Sequence, residues 1–189
     1  MRNYAFYIST ALTIAILLGS NRSFSQQIAI KSNALFYLSN TPNIGVEISN
    51  DDKSTISVGY YHKFLEQENI GRFRYYLLES EYKKWLCKKF VGGYWGIHSF
   101  FSEYNIGGIS AFNFEKYRYQ GNVFGLGFSL GYDFILSSRF NLDFGLGFGY
   151  AHFTYEKFNC EHCGDLIKEE VLDYIGPTKA SVSLVYLIK

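Results

Sequence analysis

Proline is nearly missing from this chain, with two residues in 189. One residue in five is aromatic, and the pairing of few prolines with many rings suits β-strands. Long hydrophobic runs are missing too. Past residue 20 nothing approaches the roughly 20 apolar residues of a membrane-crossing helix, so any membrane span here is not helical. No charge of one sign predominates. The formal net charge is +1, which gives no strong pull on nucleic acid. Cysteine is scarce: three residues, none following the apolar run near the N-terminus, so a lipid-modified start is not expected. After that run no helical period of any length occurs.

What is present begins with an export signal. Arg2 supplies a positive start, Ala11 to Leu18 an apolar run, and Ser23 and Ser25 small residues before a cut. Residues 1–25 are therefore expected to be a signal peptide, and 26–189 one mature domain. The competing readings are an uncleaved anchor or a hydrophobic helix of a cytosolic fold.

The mature chain alternates with period two. The expected strands are Ala29–Leu38, Ile44–Ser49, Ser54–His62, Arg72–Trp85, Phe90–Tyr104, two within Val123–Tyr155, and Thr178–Lys189. Connections after the second, fourth and sixth are short. Those after the third, fifth and seventh look long: Leu65 to Gly71, Asn105 to Tyr117, and Asn159 to Asp173. Short turns at one end and longer loops at the other are the pattern of an outer-membrane barrel.

The sixth and seventh strands decide which way the sheet faces. Phe124, Leu126, Phe128, Leu130, Tyr132, Phe134 and Leu136 share one face; Gly125, Gly127, Ser129, Gly131 and Asp133 share the other. Next, Phe140, Leu142, Phe144, Leu146, Phe148 and Tyr150 oppose Asn141, Asp143, Gly145, Gly147, Gly149 and Ala151. A soluble sheet would carry long charged residues on its wet face. Glycine there needs a reason, and a narrow eight-stranded interior supplies one, because small residues make room for large ones opposite. The fold expected is an all-β, eight-stranded antiparallel up-and-down transmembrane β-barrel with its rings in lipid. A two-layer sandwich with the rings inside is the competitor.

The same parity turns Lys31, Glu47, Glu79, Glu81, Lys83, Asp133 and Asp143 into the lumen as a candidate ion-pair network. With eight strands this reads as structural filling; a proton or ion path is the sharper alternative. Trp85, Phe90 and Phe140 at one end, and Tyr76, Tyr104 and Tyr150 at the other, read as interfacial belts.

Chemistry-bearing motifs are few. Cys160 and Cys163 in "CEHC" read as a local disulfide, since a zinc site lacks its remaining ligands and a redox dithiol its βαβ setting. Cys87 is left unpaired. The glycine-rich stretches precede no helix, which excludes a phosphate loop. His152 and Thr154 share a face, as a lipid hydrolase would need, but threonine is a hindered nucleophile.

"TPNIGVE" from Thr41, "KKWLC" from Lys83, "YNIGGI" from Tyr104, "YRYQG" from Tyr117, "CEHCG" from Cys160 and "GPTKASVSLVYLIK" from Gly176 occur in this order. In these segments the chain resembles an uncharacterised bacterial family of small exported outer-membrane barrels, a domain of unknown function. The resemblance covers nearly the whole mature chain. It implies no enzyme activity, no cofactor and no defined functional residues. Association with fimbria-like loci implies a surface or assembly role, with outer-membrane lipid around a monomeric barrel and a surface or fimbrial protein met through loops centred on Gln67, Asn113 and Glu161. A soluble periplasmic ligand-binding barrel is the alternative. Unlike many outer-membrane barrels, the chain ends on Leu187-Ile188-Lys189 and not on an aromatic residue.

Overall fold

Alternating bulky and small residues favour extended chain, and extended chain needs a partner on each edge. The computed structural model, which describes residues 27–67, 71–109, 114–159 and 166–188, meets that need by closing a ring. Its elements are β1 (Ile28–Asn33), α1 (Ala34–Leu38), β2 (Asn43–Ser49), β3 (Ser54–Gln67), β4 (Gly71–Trp85), β5 (Gly92–Ile109), β6 (Phe114–Ile135), β7 (Phe140–Phe158) and β8 (Leu166–Ile188). Each strand pairs antiparallel with the next. β1 then meets β8 from Ile28 opposite Ile188 to Asn33 opposite Ser183.

The rings face out. Phe128 and Leu146 are each 71% exposed, and Phe124, Leu130, Phe134 and Phe148 are exposed beside them. Asp133, Asn141 and Asp143 are buried on the inner side. The glycines explain how the interior fits. A Cβ on Gly131 would lie 2.3 Å from the Tyr94 ring and 2.5 Å from the Phe144 carbonyl oxygen; one on Gly125 would lie 2.2 Å from Phe100. Inner rings from β5 thus occupy the volume that side chains on β6 would need.

Several boundaries differ from the sequence reading. The first strand was expected to reach Leu38 but stops at Asn33, whose side-chain oxygen accepts from the Leu35 N–H and starts the short helix α1. The fifth begins at Gly92: Phe90 takes a φ of 60° in the preceding turn. The long loops at the far end are mostly strand. β3 and β4 pair as far as Gln67 opposite Gly71, β5 and β6 as far as Ile109 opposite Phe114, and β8 starts at Leu166 instead of Thr178. Mixed composition hid these extensions: in stretches such as Leu166–Ile175 charged and apolar residues follow each other without a regular period of two. Gln67 accordingly ends a strand, while Asn113 and Glu161 lie outside the described residues.

The result is lopsided. β1 and β2 have 6 and 7 residues, whereas β6 and β8 have 22 and 23. Past Asn33 the β1 side of β8 has no strand partner among the described residues, and the Asn33 side chain covers the first step by accepting from the Val182 N–H and donating to the Ala180 carbonyl.

Candidate functional site

From the end where β2–β3, β4–β5 and β6–β7 turn, the interior is filled in layers. The first is apolar: Trp85, Phe90 and Tyr94 pack with Ala29 and Val185. The Trp85 ring centroid lies 5.9 Å from that of Phe90 and 4.9 Å from that of Tyr94. This corrects the belt expected from the sequence: Trp85 and Phe90 are each 2% exposed and face inward. Trp85 has the inward parity of Glu81 and Lys83, and the left-handed turn at Phe90 rolls that ring over the barrel mouth. Phe140 is exposed on the outside.

The second layer is ionic. Lys83 Nζ lies 2.5 Å from Asp143 Oδ2, 3.3 Å from Glu47 Oε2 and 4.0 Å from Glu81 Oε2. Lys31 Nζ is 3.2 Å from Glu47 and 3.9 Å from Glu81. Lys179 pairs with Glu79 and lies 2.9 Å from Glu81. Neutral donors complete the carboxylate shells: Thr55 donates to Glu47 at 2.6 Å, Ser129 to Glu81 at 2.6 Å, and Tyr94 to Asp143 at 2.7 Å. The Tyr94 ring also lies under Lys83, 4.2 Å from Nζ to centroid. Buried charges are tolerable only with such multiple partners.

Six of the seven candidate lumen residues named above, Lys31, Glu47, Glu79, Glu81, Lys83 and Asp143, thus meet within one cluster. Asp133 is buried opposite Asp143 on the neighbouring strand, but makes no ion pair among the described residues, and its Oδ1 has no hydrogen-bond partner there. Lys179 belongs to the cluster and was not among the candidates. Its signal was available in "KASVSLVY", where Val182, Leu184 and Tyr186 mark the outer face and put Lys179 on the inner one. His98 was missed as well; it is buried on β5, with Nε2 2.8 Å from Thr178 Oγ1.

The third layer comes from the β1–β2 connection. Phe36 of α1 packs on Tyr61 at 4.5 Å, Thr41 bonds the Tyr75 hydroxyl at 3.0 Å, and Lys63 donates to the Ser39 carbonyl at 2.5 Å. Above it the barrel opens into a cavity of about 550 Å³ lined by Lys63, Tyr75, Tyr104, Gly121 and Tyr155, among others. Tyr104 therefore faces the cavity instead of forming part of an outer belt. Beyond the ionic layer, Lys168 and the Tyr155 hydroxyl hold the Glu170 carboxylate below its usual range at the projecting end of β8.

On the outer face, His152 Nδ1 lies 2.7 Å from Asp173 Oδ1, which also accepts from Tyr150 at 2.6 Å. No hydrogen bond joins His152 to Thr154 among the described residues. The cluster is an acid shared by two donors at the upper margin of the apolar face. Among the described residues no group of three His, Cys, Asp or Glu side chains is placed to hold a metal ion. Cys87 is exposed in the β4–β5 turn. Cys160 and Cys163 lie outside the described residues, as does the expected signal segment 1–25.

The crystal structure of Neisserial surface protein A (NspA) is similar to this chain at 15% identity, covering 85% of this chain and 94% of that one, with a TM-score of 0.43. No curated protein matches the sequence. The model of a family described as protein of unknown function (DUF3575) matches residues 9–188. That match takes in all eight strands and every layer of the interior, and the chain belongs to the DUF3575 family.

Proposed function

We propose that this protein is an integral outer-membrane barrel with a filled, non-conducting lumen and a structural or surface-interaction role, either as an adhesive element or in the service of fimbria-like structures. One observation carries the reading: a closed ring with an ion cluster buried inside it and, around its outside, a broad band of exposed apolar side chains from every strand, interrupted by the hydrogen-bonded pair Ser80 and Ser99. From Phe124 to Phe134 the chain takes ten steps. At about 3.4 Å each and a tilt of about 40° these rise about 26 Å, the height of the apolar band of an outer-membrane barrel. A soluble ligand carrier would have to leave this band in water, far beyond the few hundred Å² of contiguous apolar surface that soluble monomers tolerate.

In this orientation the short turns face the periplasm and the tall ends of β3–β8 project from the cell, presenting the surface through which a protein partner would be met. The apolar and ionic layers together leave no water column for ions. Lipid surrounds a single copy, and neither nucleic acid nor a cofactor has a place in the scheme. Cell fractionation tests the location: the protein should co-sediment with outer membrane and shift in gel mobility on heating. Recovery from soluble periplasm would refute it. In planar bilayers the purified barrel should give no conductance steps, and regular steps would refute the filled lumen.

A further inference from the structure

For most of its length β8 has a neighbour on one side only. β7 pairs with it from Leu166 to Tyr186, whereas β1 reaches no farther than Ser183. Beyond the Asn33 cap, no backbone group among the described residues bonds the β1-side edge of β8. β3 bounds the same opening from the other side, since its ladder with β2 ends at Tyr61 opposite Asn43. Long sheet edges are normally blunted by charges, by a bulge or by a cover. Among the described residues none of these protects the stretch from Val171 to Ile175. Val171, Leu172 and Ile175 are 61%, 53% and 73% exposed, so apolar groups stand uncovered on both faces of the strand. The charge among them, Asp173, is drawn toward β7 by His152 and Tyr150. Lys168 and Glu170 bond each other, and Tyr155 of β7 holds Glu170. Ile175 shares a register row with Tyr150 and Leu126, near the upper margin of the outer apolar band, where unpaired backbone is costly. Pro177, which has no N–H, and the bulge beside it mark the lower end of the stretch.

From this open edge we infer that β8 is the docking site for an extended segment of a partner protein, which adds as a strand beside Val171–Ile175, antiparallel to β8 and in line with β1. Main-chain hydrogen bonds supply the attachment. Selection comes from alternate side chains: β-branched or aromatic residues beside Val171 and Ile175 on the outer face, and beside Leu172 and Tyr174 on the inner one. A second copy of this chain is a poor occupant. Two copies in one membrane share an orientation, so their β8 edges could meet only in parallel, with Asp173 at the height of Asp173. An acyl chain would leave the peptide groups unbonded. The inference deepens the surface-interaction role and rests on it, naming the place of contact and the conformation of what binds.

The probe is a labelled synthetic peptide with the sequence of β7 from Tyr150 to Phe158, whose residues already match β8 in antiparallel register from Ile175 to Leu166. It is titrated onto the purified protein in phosphocholine detergent and followed by fluorescence anisotropy and by hydrogen exchange in NMR. Without peptide, alternate amides between Val171 and Ile175 should exchange at least about tenfold faster than those between them, and saturating peptide should remove the difference. N-methyl groups on one alternate set of peptide residues should abolish binding, and the same groups on the complementary set should keep it within about twofold, because only one edge of an added strand pairs. Val171→Lys should weaken binding about tenfold. Ile44→Ala, on the outer face of β2, should change nothing, and heat-shifted gel mobility shows that both variants fold. The proposal is overturned by a lack of saturable binding, by equal effects of the two methylated sets, or by amides at Val171–Ile175 that are uniformly protected before peptide is added. A dimer of the protein alone that Val171→Lys dissolves would also overturn it, since the edge would then belong to a second copy. Peptide binding in detergent does not depend on location, which fractionation decides, so the two readings can fail independently.

Discussion

Lys83 is the residue on which the ionic layer should be tested first. Its ammonium is the nearest cation to Asp143, shares Glu47 with Lys31, and has a side chain 1% exposed. Replacing it with methionine keeps most of the volume and the contact with Tyr94 but removes the charge. Asp143 then retains Tyr94 as a donor and loses its ion pair, while Glu47 retains Lys31 and Thr55. Breaking one side of a buried pair costs about 3–5 kcal/mol, mostly because the remaining charge is stranded. The expected loss for Lys83→Met lies in that range. Lys83→Met combined with Asp143→Asn should recover more than half of it, since the stranded charge has gone. The assay is reversible urea unfolding in lipid vesicles, followed by gel mobility without heating. A loss under about 1 kcal/mol for the single change would mean that water reaches the cluster and that the layer is not sealed, refuting the filled-lumen argument.

Other outcomes follow from the same geometry. Leu130→Arg, near the middle of the outer apolar band, should cost about 2–4 kcal/mol in a bilayer, and an unchanged urea midpoint would place that face in water. Gly131→Ala should cost about 1–3 kcal/mol, because the Phe144 carbonyl cannot move away as a flexible side chain could; wild-type stability in the same unfolding assay would refute the close packing. Asn33→Ala removes the cap of α1 and the bonds to Ala180 and Val182, for an expected loss of about 1–2 kcal/mol and faster hydrogen exchange at Leu35 and Val182; unchanged exchange at Val182 would show that the side chain does not cover that edge.

The barrel was legible in the sequence because a membrane strand writes both of its faces at once: rings for lipid, and glycine, serine or a charge for a narrow interior. The parity of Glu47, Glu81, Lys83 and Asp143 could be read without knowing a single contact. Three features could not be read in this way. The end of the first strand depends on Asn33 choosing a local hydrogen bond to Leu35 over another step of ladder, a choice made within about one hydrogen bond of free energy. The tall ends of β3–β8 mix charged and apolar residues without a regular period of two, so their alternation vanishes while their pairing persists. Trp85 and Phe90 are ambiguous by type, since an aromatic near a strand end suits an interface as well as a plug. Only the left-handed turn at Phe90 and the glycine-lined wall opposite Tyr94 decide between them. Lys179 is a different case: its parity was readable, and the bulge beside Pro177 only shifts the residues beyond it.

The joint between β1 and β8 brings together residues about 160 positions apart, yet it extends only from Ile28 opposite Ile188 to Asn33 opposite Ser183. Every other pair of neighbouring strands is also adjacent in sequence, so hairpins can form early and this joint must form last, with the greatest loss of chain freedom. It is also among the briefest ladders in the ring. The rate of maturation should therefore be governed by how fast six residues zip shut, and under mechanical or chemical stress the wall should part along this line first.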